Sequence, residues 1–362
     1  MGLFRKKERF LGIDLSPSAV KLVELSQTSK GYQVDALAVE PLPEGSMEER
    51  NPSDLDQIGA AIKRAVKASG TGLKQAVLAV PTTSVVTRTI TMPSGFGEDE
   101  IEANIQVEAA QYIPFPLEEI HLDFQVLGYS KGNEAVQDVM IVASRRENVD
   151  LREDVLREAG LKATIVDVEA YALENLFPLI RDDLPASPLS KSKTGPDAEP
   201  RTAIIDIGAA VTTLYVFQGE RVIFTREQSF GGDQLVQSIA ENYGLPRDRA
   251  ALAMRSGELS EDYPTTILEP FKQDVAEQIS NALQFFFAAS HYNSVDNIVL
   301  VGGGGMIPDL DKVVANVVSI PTVVGNPFER MSTARRINRR TLLRDAPLFA
   351  VACGLAMRSF DL

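Results

Sequence analysis

At 362 residues the chain is longer than one hydrophobic core ordinarily supports, so two domains are expected. An apolar fraction of 44% with 24% charged residues is ordinary for a globular protein, which excludes fibrous and fully disordered classes. Thirty-six basic against fifty acidic residues leave a net charge of −14, which repels nucleic acid and anionic membrane at long range.

The first ten residues are basic but lack the apolar core of a secretory signal, and Lys6 stands where a myristoylation site needs Ser or Thr. No apolar stretch reaches the length of a bilayer span. The single cysteine, Cys353, excludes an intrachain disulfide framework, and the cytoplasm is the expected compartment. Alternation predicts antiparallel strands over 10–14, 20–25 and 32–40, separated by Ser16-Pro17-Ser18 and Lys30-Gly31. A helix is predicted from Ser53, with Leu55, Ile58, Ile62, Ala65 and Val66 on one face and Gly70 ending it. A strand over 75–80 follows. Residues 82–146 read as a small α+β insertion. It holds a β-rich 85–92, a helix opened by the acidic turn Gly97-Glu-Asp-Glu, and strands over 124–129 and 136–144. Ile101, Ile105, Ala109 and Tyr112 share one face of that helix, which Pro114 stops. Helix 149–159, strand 163–167 and helix 169–179 complete a first half over 1–81 and 147–180.

Residues 181–201, rich in Pro, Ser and charge, predict a mobile loop. The second half, 202–362, repeats the plan. Strands are predicted over 203–207, 211–218 and 221–229, then a helix from Gly232. A long helix over 270–291 buries Phe271, Val275, Ile279, Ala282, Phe286 and Ala289. Strand 297–301, a helix begun by Ile307-Pro308 and an apolar helix over 346–357 follow. Arg335, Arg336, Arg339, Arg340 and Arg344 read as a solvated helix face.

The strongest signal is a repeated turn. Leu11-Gly-Ile-Asp-Leu-Ser-Pro-Ser-Ala-Val-Lys-Leu-Val-Glu-Leu25 is echoed by Ala203-Ile-Ile-Asp-Ile-Gly-Ala-Ala-Val-Thr-Thr-Leu-Tyr-Val-Phe217, with the aspartates 192 residues apart. A third small-residue turn is Ile298-Val-Leu-Val-Gly-Gly-Gly-Gly-Met-Ile-Pro308. Phosphate held between such hairpins needs nearby backbone N–H groups, hence small turn residues. Asp14 and Asp206 suit Mg²⁺ bound through its waters, because Mg²⁺ keeps most of its hydration shell. Lys21 would reach phosphates as a point charge, Thr212 and Thr213 would donate to phosphate oxygens, and Gly302–Gly305 lets a backbone approach a nucleotide closely. There is no G-x-x-x-x-G-K-[ST] loop and no G-x-S-x-G elbow, and His121 and His291 lack ligand spacing.

These turns resemble the phosphate 1, phosphate 2 and adenosine motifs of the actin/Hsp70/sugar-kinase ATPase superfamily. That implies an α/β, actin-like (ribonuclease H-like) duplicated fold with a small α+β insertion subdomain in the first half. Within the superfamily, the PilM family of type IV pilus assembly is similar over nearly the whole chain. The most specific segments are Gly12–Leu25 and Glu108-Ala-Ala-Gln-Tyr-Ile-Pro-Phe-Pro-Leu-Glu-Glu-Ile-His-Leu-Asp123. The resemblance labels 1–81 with 147–180 as subdomain IA, 82–146 as IC, and 202–362 as IIA and IIB, with IIB at about 232–292. It implies ATP and Mg²⁺ held by Asp14, Ser16, Ser18 and Lys21 at phosphate 1 and by Asp206, Gly208, Ala209, Thr212 and Thr213 at phosphate 2. Gly302, Gly303 and Gly304 would form the adenosine turn, Gly231-Gly232 the loop before the ribose-side helix, and Arg255 the remaining polar contact there. Glu169 stands where actin has its water-polarising Gln, and Thr213 where it has His. Slow or absent hydrolysis follows, with Glu169 a weak catalytic candidate. The implied partner is the short cytoplasmic N-terminal segment of the inner-membrane protein PilN. It would dock in a groove between IA and IC near 85–92 and 101–115, with Ile101, Ile105 and Tyr112 as candidate contacts. Further pilus proteins and self-assembly stay open. The alternative is an FtsA-like cell-division scaffold forming filaments. The ending at Leu362, without an amphipathic tail, favours attachment at the inner membrane through a protein partner instead.

Overall fold

The structure, a computed structural model, describes residues 8–48, 50–186 and 199–361. The basic N-terminal segment up to residue 7 and residues 187–198 of the predicted loop lie outside the described residues.

Strands β1 (Leu11–Ser16), β2 (Ala19–Thr28) and β3 (Gly31–Pro41) form an antiparallel meander. The tight turn after Ser16 places Asp14 directly opposite Lys21. A short ladder of β4 (Met47–Glu48) and β5 (Asn51–Pro52) precedes α1 (Leu55–Ser69). The N-cap of α1 is Asp54, whose carboxylate accepts the Gln57 N–H at 2.9 Å, rather than the predicted Ser53, whose hydroxyl donates to the Gly45 carbonyl. Strand β6 (Gln75–Val80) lies parallel to β1. Next come β7 (Val85–Pro93), α2 (Glu98–Tyr112), β8 (Ile120–Ser130) and β9 (Asn133–Arg145), a separate three-stranded sheet in the order β7-β9-β8. Then α3 (Arg146–Glu158), β10 (Lys162–Val168) and α4 (Glu169–Arg181) return to the first sheet.

The second meander is β11 (Arg201–Ile207), β12 (Thr212–Gln218) and β13 (Arg221–Gln228), again followed by helices, α5 (Gly232–Tyr243), α6 (Arg247–Ser256) and α7 (Glu269–Ala289). Strand β14 (Asn297–Val301) pairs parallel to β11 as β6 does to β1, and α8 (Leu310–Val318) and β15 (Thr322–Val324) complete the second sheet, ordered β13-β12-β11-β14-β15. Strand β16 (Ser332–Thr333) crosses back to β3, giving a first sheet ordered β10-β6-β1-β2-β3-β16. Helices α9 (Arg339–Asp345) and α10 (Ala350–Met357) end the chain.

Three apolar clusters show the layering. Helices α1 and α3 cover one face of the first sheet, and α5, α7 and α8 cover one face of the second. Helices α4 and α10 share the core that also takes side chains from both sheets, including Val23, Val77, Ile204, Phe217 and Val301. The last helix of the 202–362 stretch therefore packs against β1, β2 and α4, and Arg358 locks it there with a 2.7 Å bond to buried Asp167 of β10. Its uninterrupted apolar run reflects burial on all sides.

Three local expectations are corrected. The helix predicted at Ile307-Pro308 starts only at Leu310, because Gly304–Met306 forms a 3₁₀ turn and Asp309 takes a left-handed φ of 61°. Ala289 is exposed at the C-terminal end of α7. The arginine stripe is not one solvated helix face. Arg336 donates to the carbonyls of Asp35 and Gly70 in the first half, and Arg339 to that of Met331.

Candidate functional site

The two aspartate turns occupy equivalent ladder positions: Asp14 faces Lys21 across β1–β2, and Asp206 faces Thr213 across β11–β12. Lys21 Nζ donates to Asp14 Oδ2 at 2.7 Å, and both side chains are about a tenth exposed (11% and 10%). Burial by itself would lower the lysine's pKa, but Asp14, Asp206 and Glu169 reverse this and hold the ammonium above its ordinary range. Asp206 is shifted up by burial first, drawn back by Lys21 and pushed up again by Asp14. The turns thus converge from the two sheets into one acidic cluster.

Gly302 abuts this cluster from the end of β14. Its φ is +76°, and a Cβ there would fall 2.2 Å from Asp206 Oδ1 and 2.7 Å from the Ile207 carbonyl oxygen, so no other residue fits. Gly304 packs on Ile207, whereas a Cβ on Gly303 would approach only Leu348, at 3.9 Å. Gly231 closes on the second turn. A Cβ on it would meet the Ala209 oxygen at 2.5 Å, while the N–H groups of Gly232 and Asp233 donate to the carbonyls of Gly208 and Ala209 at 3.0 and 2.8 Å. These amides hold helix α5 to the turn and are spent there. Likewise the Thr212 hydroxyl donates to the Phe230 carbonyl at 2.8 Å, so the expectation that it donates to phosphate is corrected. Thr213 is buried beside Asp206. The Ser16 hydroxyl donates to the Ala19 carbonyl at 3.0 Å, and Ser18 is exposed. Arg255 is exposed in the last turn of α6 and is not among the partners of the acidic cluster.

Glu169, the first residue of α4, is buried, and burial raises its carboxyl above the ordinary range despite Arg50. Both of its oxygens accept from Arg50 Nη2, at 2.6 and 2.7 Å, and Tyr215 donates to Oε2 at 3.3 Å. Arg50 also pairs with Glu227 of β13. Arg50, Glu227 and Tyr215 escaped the sequence reading. Nothing in the sequence singles out Arg50, whose partners Glu169 and Glu227 lie more than a hundred residues away.

A second feature lies where the three-stranded sheet meets the first. Helix α2 covers one face of the small sheet, with Ile101 (2% exposed), Ile105 (0%) and Ala109 packed on Ile90, Val139, Ile141 and Phe124. Ile101 and Ile105 are therefore core rather than groove lining, a correction forced by their complete enclosure. Tyr112, on the same helix, is 40% exposed. The opposite face of the small sheet bears a groove. A cavity of about 310 Å³ is lined by Val85, Val142, Val149, Val166 and Val168, with Asp123 and Glu153 among them. The register agrees, pairing Val85 with Ser144 and Asp123 with Val142 on that face.

The family model of the type IV pilus assembly protein PilM matches residues 12–360. Among solved structures, a PilM–PilN type IV pilus biogenesis complex is 27% identical, with a TM-score of 0.76 over 98% of this chain and 99% of that one. The ethanolamine utilization protein EutJ from Carboxydothermus hydrogenoformans is 14% identical, with a TM-score of 0.55 over 97% and 89%. An archaeal actin homolog solved with ADP is 13% identical, with a TM-score of 0.50 over 98% and 100%. The last two likenesses are of fold, and they place the duplicated sheets in the actin-like class.

Proposed function

The chain belongs to the PilM family of type IV pilus assembly proteins, and from that premise we propose that it is an adaptor with two coupled sites. The cleft between the Asp14 and Asp206 turns takes ATP with Mg²⁺. The groove beside the three-stranded sheet takes the cytoplasmic N-terminal segment of a PilN-type inner-membrane protein. Among the described residues no helix is long and apolar enough to cross a membrane, so this partner would hold the adaptor at the inner membrane.

The residues suit the nucleotide. Asp14 and Asp206 converge from the two sheets and would hold Mg²⁺ through water, Lys21 would meet phosphate as a point charge, and Gly302 leaves backbone bare beside Asp206. Mg²⁺ supplies charge neutralisation between phosphates when bound. Fast hydrolysis is not supported, because Thr213 stands at phosphate 2 and offers no imidazole to orient water. ATP then works as a clamp. A ligand that binds only the closed arrangement stabilises it by about 3–4 kcal/mol at 100–1,000 times its Kd. By reciprocity, peptide and nucleotide each tighten the other if both favour closure.

The observation that carries the partner reading is the valine-floored groove with Asp123 and Glu153 in its wall. Those chemistries suit an extended segment that alternates apolar and basic residues. Val142→Glu places a charge on the floor. Titration calorimetry of a PilN-type N-terminal peptide should show binding weakened at least about tenfold with the melting temperature kept, since each 1.4 kcal/mol is tenfold. Equal affinity for both proteins would remove the groove from the account.

A further inference from the structure

Arg50 occupies a position that the clamp alone does not require. Its backbone is left-handed at φ 66°, a conformation unfavourable for a residue with a Cβ. The hairpin that carries it is tied down by Arg152, a buried arginine whose Nη2 donates to the Arg50 carbonyl at 2.9 Å and whose Nη1 donates to Asn51 Oδ1 at 3.0 Å. Asn51 in turn donates to Asn148 at 3.0 Å. This scaffold aims one guanidinium at two carboxylates from distant parts of the chain, Glu169 on helix α4 and Glu227 on strand β13.

The surroundings place that guanidinium in the cleft. Glu227 stands opposite Thr213, which stands opposite Asp206 across the second meander, and Arg50 and Glu169 both lie close enough to Asp206 for their charges to interact. Arg50 therefore stands where both aspartate turns converge, at the inner end of a nucleotide laid across them. A guanidinium fork matches phosphate oxygens as well as it matches a carboxylate, and it cannot lose its charge.

We propose that Arg50 reads the terminal phosphate of the bound nucleotide: its guanidinium passes from Glu169 and Glu227 to that phosphate, so the cleft favours a nucleoside triphosphate over the diphosphate. This rests on the nucleotide-clamp reading above. The transfer replaces the carboxylate pair with a ligand that touches both sheets, so the hairpin stays joined to the second sheet through the nucleotide. It also frees both oxygens of Glu169. A nucleoside diphosphate lacks the group that competes, and leaves the Arg50–Glu169–Glu227 tie in place.

The test is calorimetric titration of MgATP and MgADP into wild type, Arg50→Ala, Arg50→Lys and Glu227→Gln. Wild type should prefer ATP by about tenfold or more, a difference of about 1.4 kcal/mol. Arg50→Ala should lose that preference with ADP affinity kept within about twofold, and Arg50→Lys, which keeps charge without the fork, should fall between. Glu227→Gln removes one competitor and should widen the preference, which keeps the test usable if Arg50→Ala folds poorly. An unchanged ATP/ADP ratio in Arg50→Ala, or equal weakening of both nucleotides, overturns the assignment and leaves Arg50 a structural tie. Wild type that binds neither nucleotide overturns the clamp reading itself, and the assignment with it.

Discussion

Replacing Lys21 with methionine keeps the aliphatic stem and removes the ammonium that is bonded to Asp14 at 2.7 Å. Both groups are nearly enclosed, so the pair itself need not stabilise the fold much, but deleting one partner leaves an uncompensated buried charge. That costs about 3–5 kcal/mol. For 362 residues, an unfolding entropy of about 2.1 cal/mol/K per residue converts this to a melting temperature lower by about 4–7 °C. The deficit should depend on pH. Burial already holds the Asp206 carboxyl above its ordinary range, and Lys21 is the first charge drawing it back, so Lys21→Met raises it further. With a raised folded pKa, the folded chain keeps a proton that the unfolded chain releases. Stability is then complete below the unfolded value and is lost as pH rises through the folded one. The deficit of Lys21→Met should therefore be larger at about pH 8 than at about pH 5. Calorimetry of Lys21→Met and of the Asp14→Asn, Lys21→Met double variant decides the matter. The double variant has no stranded charge at this pair and should recover most of the loss. A single variant melting within about 1 °C of wild type, or a double variant no better than the single, would mean that Lys21 does not compensate a buried Asp14 charge.

Gly302→Ala should destabilise by about 2 kcal/mol or more in denaturant unfolding, since the new methyl both strains a left-handed backbone and strikes Asp206. Unchanged unfolding would mean that the glycine turn is not packed on Asp206. Tyr112→Ala should change stability by less than about 0.5 kcal/mol and leave peptide affinity intact, because α2 lies on the far face of the small sheet from the groove. Ile105→Ala in the same helix should cost about 2–5 kcal/mol, so peptide affinity that falls with Tyr112→Ala alone would return the groove to α2.

The parts of the fold written locally were legible. A strand, an aspartate, a small-residue turn and a second strand specify a hairpin. Once the turn is tight, the pairing of Asp14 with Lys21 and of Asp206 with Thr213 follows from register alone. What escaped was long-range. The helical period of Ile101, Ile105 and Tyr112 is the same whether that face docks a partner or covers a sheet, and only the position of β8 and β9 shows which. The apolar run of α10 announces burial but not that its neighbours are β1 and α4. Arg50 carried no signal at all, because its meaning comes from Glu169 and Glu227, brought to it by helix α4 and strand β13. Thr212 shows the reverse failure: a residue of suitable chemistry in a suitable turn whose hydroxyl proton is committed to Phe230.

Cleft and groove are proposed to act as one coupled system, which titration of a PilN-type N-terminal peptide into the protein with and without MgATP decides. Saturable one-to-one binding that tightens severalfold with nucleotide is expected, within the range of about 5–150-fold typical of coupled sites. Peptide affinity that is identical in the two conditions would contradict the coupling, and no peptide binding in either would contradict the adaptor itself.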